Sequence, residues 1–297
     1  MTRSGFIGLA GRPNTGKSTL VNTLVGGRVA IVSERPQTTR RAVRGVATGP
    51  DQDWQLVLTD LPGVQRPRDE LTKRMQARVE REISDSDAVL FVINAAEGVG
   101  PGDRFIAKAL LKSNTDRPVI CAVNKIDRVS RHELVPVLSD TAQLETVDEV
   151  FPVSAKTGEG IEALTGRLIE IVPEGPLLYP ADQTSDLPSE VALAELIREQ
   201  VLHQTRDELP HAVEVQVEEI AREEDGQTVV RANIWAESES QKAILIGKQG
   251  QQIKAIGSAA RPEIERELDG PVFLDLRVKV RERWRRDESL LDRLGID

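Results

Sequence analysis

The sequence contains the run Gly11-Arg12-Pro13-Asn14-Thr15-Gly16-Lys17-Ser18, which matches the pattern G-x-x-x-x-G-K-[ST]. It follows an apolar run over residues 5–10, which predicts a strand, and it opens a predicted helix over residues 17–25. Glycines let backbone N–H groups approach phosphates closely, and a helix N-terminus adds partial positive charge. The run therefore predicts a phosphate-binding loop, in which Lys17 reaches the β- and γ-phosphates and the Ser18 hydroxyl ligates Mg²⁺.

Short apolar runs alternate with amphipathic ones through residues 5–172. They predict strands over 5–10, 42–48, 54–59, 88–94, 118–124 and 150–153, and helices over 17–25, 71–83, 102–111, 132–143 and 159–171. Strands that are apolar on both faces and separated by helices predict an α/β domain, with a mostly parallel sheet and helices on both faces. Because residues 173–188 are rich in proline, we predict a linker there, between domains 1–172 and 189–297.

A second phosphate motif, Asp60-Leu61-Pro62-Gly63, follows the predicted strand 54–59. The Asp60 carboxylate can hold Mg²⁺, and the Gly63 N–H can meet a γ-phosphate. A D-x-x-G pattern alone is usually a turn, but its combination with the phosphate-binding loop is specific. Val64, which comes next, completes this part of the predicted nucleotide-binding set.

The nucleobase is predicted from Asn124-Lys125-Ile126-Asp127 and from Ser154-Ala155-Lys156, each placed after a predicted strand. Guanine presents N1–H and N2–H₂ donors on one edge, and the Asp127 carboxylate can accept from both. Adenine would leave that buried acceptor unpaired, at a cost of about 1–3 kcal/mol or more. Residues 154–156 supply a backbone N–H for the guanine O6, although alone they would be read as a helix cap. Together, the motifs predict GTP and GDP as ligands.

The loop over residues 34–40 contains two threonines, and we favour Thr39 over Thr38 as a further Mg²⁺ ligand. Many GTPases place Gln directly after D-x-x-G to orient water. Here Val64 occupies that position and Gln65 is one residue out of register, so we predict slow intrinsic turnover. The Asn14 amide oxygen could ligate K⁺ that stimulates the reaction. The predicted catalytic set is Lys17, Asn14, Thr39 and Gly63.

The bulk composition is that of a globular protein with no disulfide, since the 297 residues include one cysteine. The net charge of −9 argues against a nucleic-acid partner at first sight. Residues 242–286, however, hold 11 basic residues against 6 acidic ones. Local patches rather than net charge set the attraction for phosphates, so RNA remains a candidate partner.

The second domain is predicted to be α+β, with a helix over 189–209, strands over 211–220 and 228–236, helical segments near 251–256 and 262–268, and a last strand over 272–280. Gly247-Lys248-Gln249-Gly250 is a G-x-x-G loop just before a predicted helix. Such a loop can clamp an RNA backbone, with Lys248 and Lys254 neutralising phosphates. The basic stretch 277–286 could line the RNA site or be a solvated face. Trp284 could stack on a base or pack on the domain.

These motifs, with residues 36–40 and the run 240–254, resemble the Era family of GTPases over essentially the whole chain. The resemblance implies a P-loop GTPase domain followed by a smaller type II KH domain. It also implies a cytoplasmic, Mg²⁺-dependent GTPase that binds near the 3′ end of small-subunit ribosomal RNA, acts in small-subunit assembly and contacts the inner membrane peripherally. We expect a monomer.

Two other functions fit the sequence. The first is a membrane-associated signalling GTPase whose KH-like domain binds protein. The second is an RNA-binding protein in which the nucleotide only stabilises the fold.

Overall fold

The computed structural model describes residues 2–32, 38–64, 68–113, 117–205, 209–223 and 226–296. The chain divides into two compact units. The first holds the residues up to Asp186 except Asp69–Leu71, and the second holds Asp69–Leu71 with Leu187–Ile296.

The first unit is built on a six-stranded sheet with the order β2-β3-β1-β4-β5-β6. Its strands are β1 (Arg3–Ala10), β2 (Val43–Thr48), β3 (Trp54–Asp60), β4 (Ala88–Asn94), β5 (Val119–Asn124) and β6 (Glu149–Pro152). Only β2 runs antiparallel to its neighbour within this sheet. Parallel strands have their carboxyl ends at one edge, so the loops that follow β1, β3 and β5 meet there.

Helices cover both faces of this sheet, as the apolar strands predict. They are α1 (Lys17–Val25), α2 (Glu70–Asp85), α3 (Pro101–Ser113), α4 (Arg131–Ala142) and α5 (Ile161–Ile171). Every residue of β4 is buried. One core cluster joins the sheet to α1 and α5, and a second joins it to α2 and α3. The mostly parallel α/β fold is confirmed.

The predicted linker 173–188 contains no helix or long strand, yet most of it packs on the first unit. The buried side chain of Gln55 in β3 explains this. Its Oε1 accepts from the Leu178 and Tyr179 N–H groups at 2.7 and 2.9 Å, and its Nε2 donates to the Tyr179 carbonyl at 3.0 Å. The Thr184 carbonyl accepts from the Val46 N–H at 2.9 Å. The polar groups of this proline-rich segment therefore bond to strands β2 and β3, and the division between units falls after Asp186.

The second unit contains a three-stranded sheet with helices packed against it. Its elements are α6 (Ser189–Gln204), α7 (Leu209–Ala212), β7 (Glu214–Arg222), β8 (Thr228–Ala236), α8 (Glu239–Ile246), α9 (Gln251–Glu267), β9 (Val272–Val280) and α10 (Glu288–Arg293). β7 and β8 are antiparallel, and β8 and β9 are parallel. This is the α+β arrangement expected for the second domain.

The second unit differs from the sequence prediction in several places. The helix predicted over 189–209 ends at Gln204, and a short helix, Leu209–Ala212, occupies the start of the strand predicted over 211–220, which begins at Glu214. The segments 251–256 and 262–268 form one continuous helix with Pro262 inside it. Ile256, Ala260 and Ile264 are all buried along this helix, so their packing offsets the hydrogen bond that the proline removes. The short helix α8 was not predicted, and its N-terminus is capped by the Ser238 hydroxyl, which accepts from the Gln241 N–H at 3.3 Å.

Within the described parts of the chain, no helix has the length and apolar character that crossing a membrane requires.

Candidate functional site

The loop between β1 and α1 surrounds a buried ammonium group. The Lys17 Nζ donates to the carbonyls of Gly11 and Arg12 at 3.2 and 3.0 Å. Burial lowers the pKa of Lys17 to about 8, and the negative charge of Asp60 opposes that shift. The Lys17 ammonium is thus held at the N-terminus of α1. An anionic ligand bound there would favour the charged form of Lys17.

Three side-chain oxygens meet at the predicted metal site. The Ser18 Oγ donates to the Asp60 Oδ2 at 2.6 Å and lies 3.2 Å from the Thr39 Oγ1. The Thr39 hydroxyl in turn donates to the same Asp60 oxygen at 3.1 Å. Thr39, the threonine favoured above, therefore lies beside both Ser18 and Asp60. A carboxylate and two hydroxyls are hard oxygen donors, which fits Mg²⁺.

Asn124 joins the base-recognition loops to the phosphate-binding loop. Its Nδ2 donates to the Thr15 carbonyl at 3.0 Å, while its Oδ1 accepts from the N–H groups of Lys125 and Ala155 at 2.8 and 3.0 Å. Gly16, with φ 96°, passes so close that a Cβ there would lie 2.4 Å from the Asn124 Nδ2. Only glycine fits at this close approach to Asn124. The hydrogen bonds of Asn124 join the phosphate-binding loop to the motifs 124–127 and 154–156.

The Asp127 carboxylate, which is predicted to read guanine, is held by a neighbouring side chain. The Asp127 Oδ1 accepts from the Ser154 Oγ at 2.6 Å. The Lys125 Nζ donates to the Asn14 carbonyl at 2.6 Å, so its stem extends from the base-recognition loop to the phosphate-binding loop. Lys156 is exposed at the rim. The hydrogen bonds of Asp127 and Lys125 fix the carboxylate acceptor and the lysine stem. A planar base would lie between these two groups.

The second phosphate motif runs beside the phosphate-binding loop. A Cβ on Gly63 would lie 2.7 Å from the Pro13 nitrogen, and the Val64 N–H donates to the Gly11 carbonyl at 3.4 Å. Leu61 and the neighbouring Pro62 are buried, and Leu61 belongs to the core cluster against which Ile126 packs. Leu61 and Ile126 are therefore apolar motif residues that anchor their loops in the core and offer no polar side-chain group to a ligand. Gln65 and residues 34–37 lie outside the described residues.

Some contacts of the site are not part of any recognised motif. The Thr23 Oγ1 in α1 donates to the Ala155 carbonyl at 2.7 Å. The Arg12 guanidinium contacts Asp103 and Glu97, which lie outside the motifs. A signal for Asp103 does exist in the sequence, because it occupies the stripe 103, 106, 107 and 110 of α3, whose other members are apolar and buried.

The G-x-x-G loop lies between α8 and α9. Gly250 and the non-glycine Gln249 both have left-handed backbones, with φ 76° and 52°. The 17-residue helix α9 begins at the next residue, so its first N–H groups face the loop. Lys248 and Lys254 are exposed, and Ile244 in the preceding helix is 59% exposed. Positive charge, main-chain donors and apolar surface therefore occur together, which suits a nucleic-acid strand.

The basic stretch 277–286 offers less free charge than its sequence suggests. Arg277 pairs with Asp275 at 2.9 Å and Lys279 with Glu218 at 3.0 Å. Arg281 pairs with Asp287. Neighbouring carboxylates thus compensate much of the alternating basic strand.

Trp284 packs rather than stacks. Its ring is fully buried, and its Nε1 donates to the Ala212 carbonyl at 2.8 Å. Of the two roles considered for this side chain, the structure supports packing on the domain.

Comparisons with known proteins agree on both halves of the chain. A family model described as 50S ribosome-binding GTPase matches residues 6–125, and a KH domain model matches residues 208–285. GTPase Era from Mycolicibacterium smegmatis is 44% identical over 296 residues, covering 99% of this chain and 98% of the relative. GTPase Era from Carboxydothermus hydrogenoformans is 43% identical over 294 residues, covering 99% and 97%.

Two solved structures are similar over their whole length. Aquifex aeolicus Era bound to GDP and AlF₄⁻ has a TM-score of 0.95 and 34% identity, covering 99% of both chains. Era in complex with MgGDPNP and nucleotides 1506–1542 of 16S ribosomal RNA has a TM-score of 0.96 and 34% identity, covering 100% of this chain and 99% of that one. Full-length identity of this size, together with the two sites described above, shows that the chain belongs to the Era family of GTPases.

Proposed function

We propose that this protein is a GTP-hydrolysing switch that binds small-subunit ribosomal RNA near its 3′ end and acts in assembly of the small ribosomal subunit. The observation that carries the proposal is the presence of both sites in one chain that aligns throughout with an Era structure holding MgGDPNP and 16S ribosomal RNA. The domain boundaries we propose are residues 1–172 for the GTPase domain and 189–297 for the KH domain.

In the nucleotide site, the chain supplies phosphate donors from the main chain of residues 11–18 and from Lys17. Ser18, Thr39 and Asp60 would hold Mg²⁺, which when bound bridges phosphate oxygens and neutralises developing charge. The Gly63 N–H would contact the γ-phosphate. Asp127 would accept from the guanine edge, and the fixed position of Ser154 keeps it aimed there. Catalysis in such a site consists of positioning and electrostatic stabilisation.

In the RNA site, Gly247, Lys248, Gln249 and Gly250 would clamp the backbone, and Lys254 would neutralise a phosphate one turn into α9. The small subunit is the favoured target because the full-length relative is bound to 16S ribosomal RNA. The family-model description that names the 50S subunit covers residues 6–125 only, which exclude the RNA loop. The description is therefore less informative about RNA than the full-length relative.

We propose slow intrinsic turnover stimulated by K⁺. Val64 offers no group that could orient water, and Asn14 has an amide in the phosphate-binding loop whose oxygen could ligate the cation. Turnover should be faster in K⁺ than in Na⁺ buffer of equal ionic strength, and Asn14→Ala should remove the difference. Equal rates of the parent protein in both salts would contradict this role of Asn14.

The protein would be cytoplasmic and monomeric. The alternative of a membrane-associated signalling GTPase has no comparable support, since the relatives compared bind guanine nucleotide and ribosomal RNA. The other alternative, a nucleotide that only stabilises the fold, predicts negligible turnover with or without RNA.

The test is phosphate release from GTP by the full chain, with and without an RNA that carries the 3′ end of 16S ribosomal RNA. We expect slow, Mg²⁺-dependent release, and RNA binding that Gly250→Asp weakens. A scrambled RNA of equal length is the control for nonspecific phosphate contacts. Binding of the two RNAs with equal affinity would contradict a specific RNA role, and undetectable phosphate release in both would contradict the GTPase role.

A further inference from the structure

Arg12, the second residue of the phosphate-binding loop, contacts two carboxylates of very different surroundings. Its Nε lies 2.9 Å from each oxygen of Asp103, and its Nη1 lies 2.9 Å from the Glu97 Oε2. The Asp103 side chain is fully buried, whereas the Glu97 side chain is 49% exposed. Two acids therefore hold the same guanidinium, but only one is removed from water.

Asp103 occupies a buried position of α3 at which packing alone would favour an apolar side chain. It lies in the first turn of α3, on the same buried stripe as Ile106 and Leu110. Its Oδ2 also accepts from the Gly100 N–H at 2.9 Å, which closes the turn before the helix. A buried carboxylate costs several kcal/mol unless it is paired and hydrogen-bonded, as Asp103 is here.

The neighbouring glycine makes room for the arginine. A Cβ on Gly102 would lie 2.6 Å from the Arg12 Cδ. The Arg12 stem therefore passes directly over the start of α3 and is confined there by the Asp103 carboxylate. This packing fixes the Arg12 side chain. Through that side chain it also fixes the main chain of the phosphate-binding loop at Arg12.

The main chain of Arg12 lies between two groups that the proposed mechanism uses. Its carbonyl accepts from the Lys17 Nζ at 3.0 Å and from the Thr15 Oγ1 at 3.1 Å. The next residue, Pro13, faces Gly63 in the second phosphate motif. The base end of the site is held separately, by the hydrogen bonds of Asn124. The contact with α3 thus concerns the γ-phosphate end of the site.

We propose that Asp103 is a positioning residue for GTP hydrolysis, which acts through Arg12 to hold the phosphate-binding loop against Lys17 and Gly63. The inference rests on the proposed nucleotide site. It predicts that loss of Asp103 impairs the chemical step more than it impairs binding of GDP, because GDP lacks the phosphate that Gly63 and Lys17 would position.

The test compares Asp103→Asn with Glu97→Gln in the full chain, by single-turnover hydrolysis of GTP and by equilibrium binding of GDP. For Asp103→Asn we expect the hydrolysis rate constant to fall about tenfold, with the Kd for GDP changing less than about threefold, because small misplacements cost rate rather than ground-state binding. Glu97→Gln should change both quantities less than about twofold, since exposed ion pairs contribute little.

The double variant Arg12→Gln, Asp103→Asn removes both charges of the pair, whereas Arg12→Gln alone would leave the buried Asp103 carboxylate without this partner. If Asp103 acts through Arg12, the double variant should hydrolyse GTP no more slowly than the slower single variant. Parent-like hydrolysis by the double variant would overturn the proposal. So would a loss of GDP affinity as large as the loss of rate, since that would indicate a merely structural role. If the parent itself fails to hydrolyse GTP, it is the proposed function that fails.

Discussion

The two sites of this protein are organised in opposite ways. In the nucleotide site, side chains bond to one another and to the main chain: Asn124 to Thr15, Asp127 to Ser154, and Ser18 to Asp60. In the G-x-x-G loop of residues 247–250, which is the proposed RNA loop, the main-chain conformation sets the geometry. Lys248 and Lys254 are exposed. The first site is pre-organised by its side chains, and the second by its main chain.

This difference teaches where each site is vulnerable. A site built from mutually bonded side chains should lose function when one polar group is removed, because its partner is left unsatisfied. A loop built from main-chain geometry should tolerate the loss of a single side chain, but not an added group that repels the ligand. The following substitutions test that contrast.

The largest effect is expected at Asp127, the carboxylate proposed to recognise the base. Asp127→Asn should lower GTP affinity about a thousandfold and favour xanthosine triphosphate, because an amide donor would replace one acceptor of the guanine N–H groups. Competition binding with the two triphosphates measures both changes. Unchanged preference for guanosine would show that Asp127 does not read the base.

The RNA loop should respond most strongly to an added negative charge. Gly250→Asp should weaken binding of single-stranded RNA about fiftyfold, because a carboxylate would face phosphates. No atom lies within 4 Å of a Cβ added there, and Asp is one of the few residues that adopt the left-handed backbone of Gly250, so the domain should remain folded. Gly250→Asn is the matched control, since it has the same shape, tolerates a left-handed backbone and carries no charge. Equal RNA affinity of the two variants would contradict the phosphate clamp.

Much of this organisation could be predicted from the sequence. Each nucleotide motif follows a run that forms a strand, and parallel strands place such loops at one edge of the sheet. The exposed G-x-x-G loop with Lys248 could be placed in the same way, because it directly precedes α9. Motifs of this kind specify local backbone geometry, which is why they survive the step from sequence to structure.

What could not be predicted depends on contacts between distant residues. The path of residues 173–186 depends on the buried amide of Gln55. The continuity of α9 through Pro262 depends on core packing that no local propensity expresses. The partner of Asp103 is likewise visible only once α3 and the phosphate-binding loop are folded together.

A smaller effect sharpens the comparison within the nucleotide site. Ser154→Ala removes the hydroxyl that holds Asp127 and should lower guanine-nucleotide affinity about tenfold, in line with the loss of one hydrogen bond to a charged group. Titration with labelled GDP measures the change, and Thr165→Ala in α5, whose hydroxyl donates to the Ile161 carbonyl of its own helix, is the control. Parent-like affinity of Ser154→Ala would indicate that Asp127 needs no support.

The smallest effect is expected from a single lysine of the RNA loop. Lys248→Ala should weaken RNA binding about threefold at moderate salt and reduce the slope of log affinity against log salt by about 0.7, as expected for one phosphate contact on a single strand. Arg261→Ala, at an exposed position further along α9, should leave the slope unchanged. A slope equal to that of the parent in Lys248→Ala would exclude a phosphate contact there.

Equilibrium dialysis of the purified full chain against labelled GTP and GDP in Mg²⁺, with a large excess of unlabelled ATP as competitor, tests the pre-organised nucleotide site most directly. We expect saturable binding of one guanine nucleotide per chain, undiminished by ATP and lost in the Lys17→Ala variant. Folded protein that binds neither guanine nucleotide, or from which ATP displaces both, would contradict the pre-organised guanine-nucleotide site.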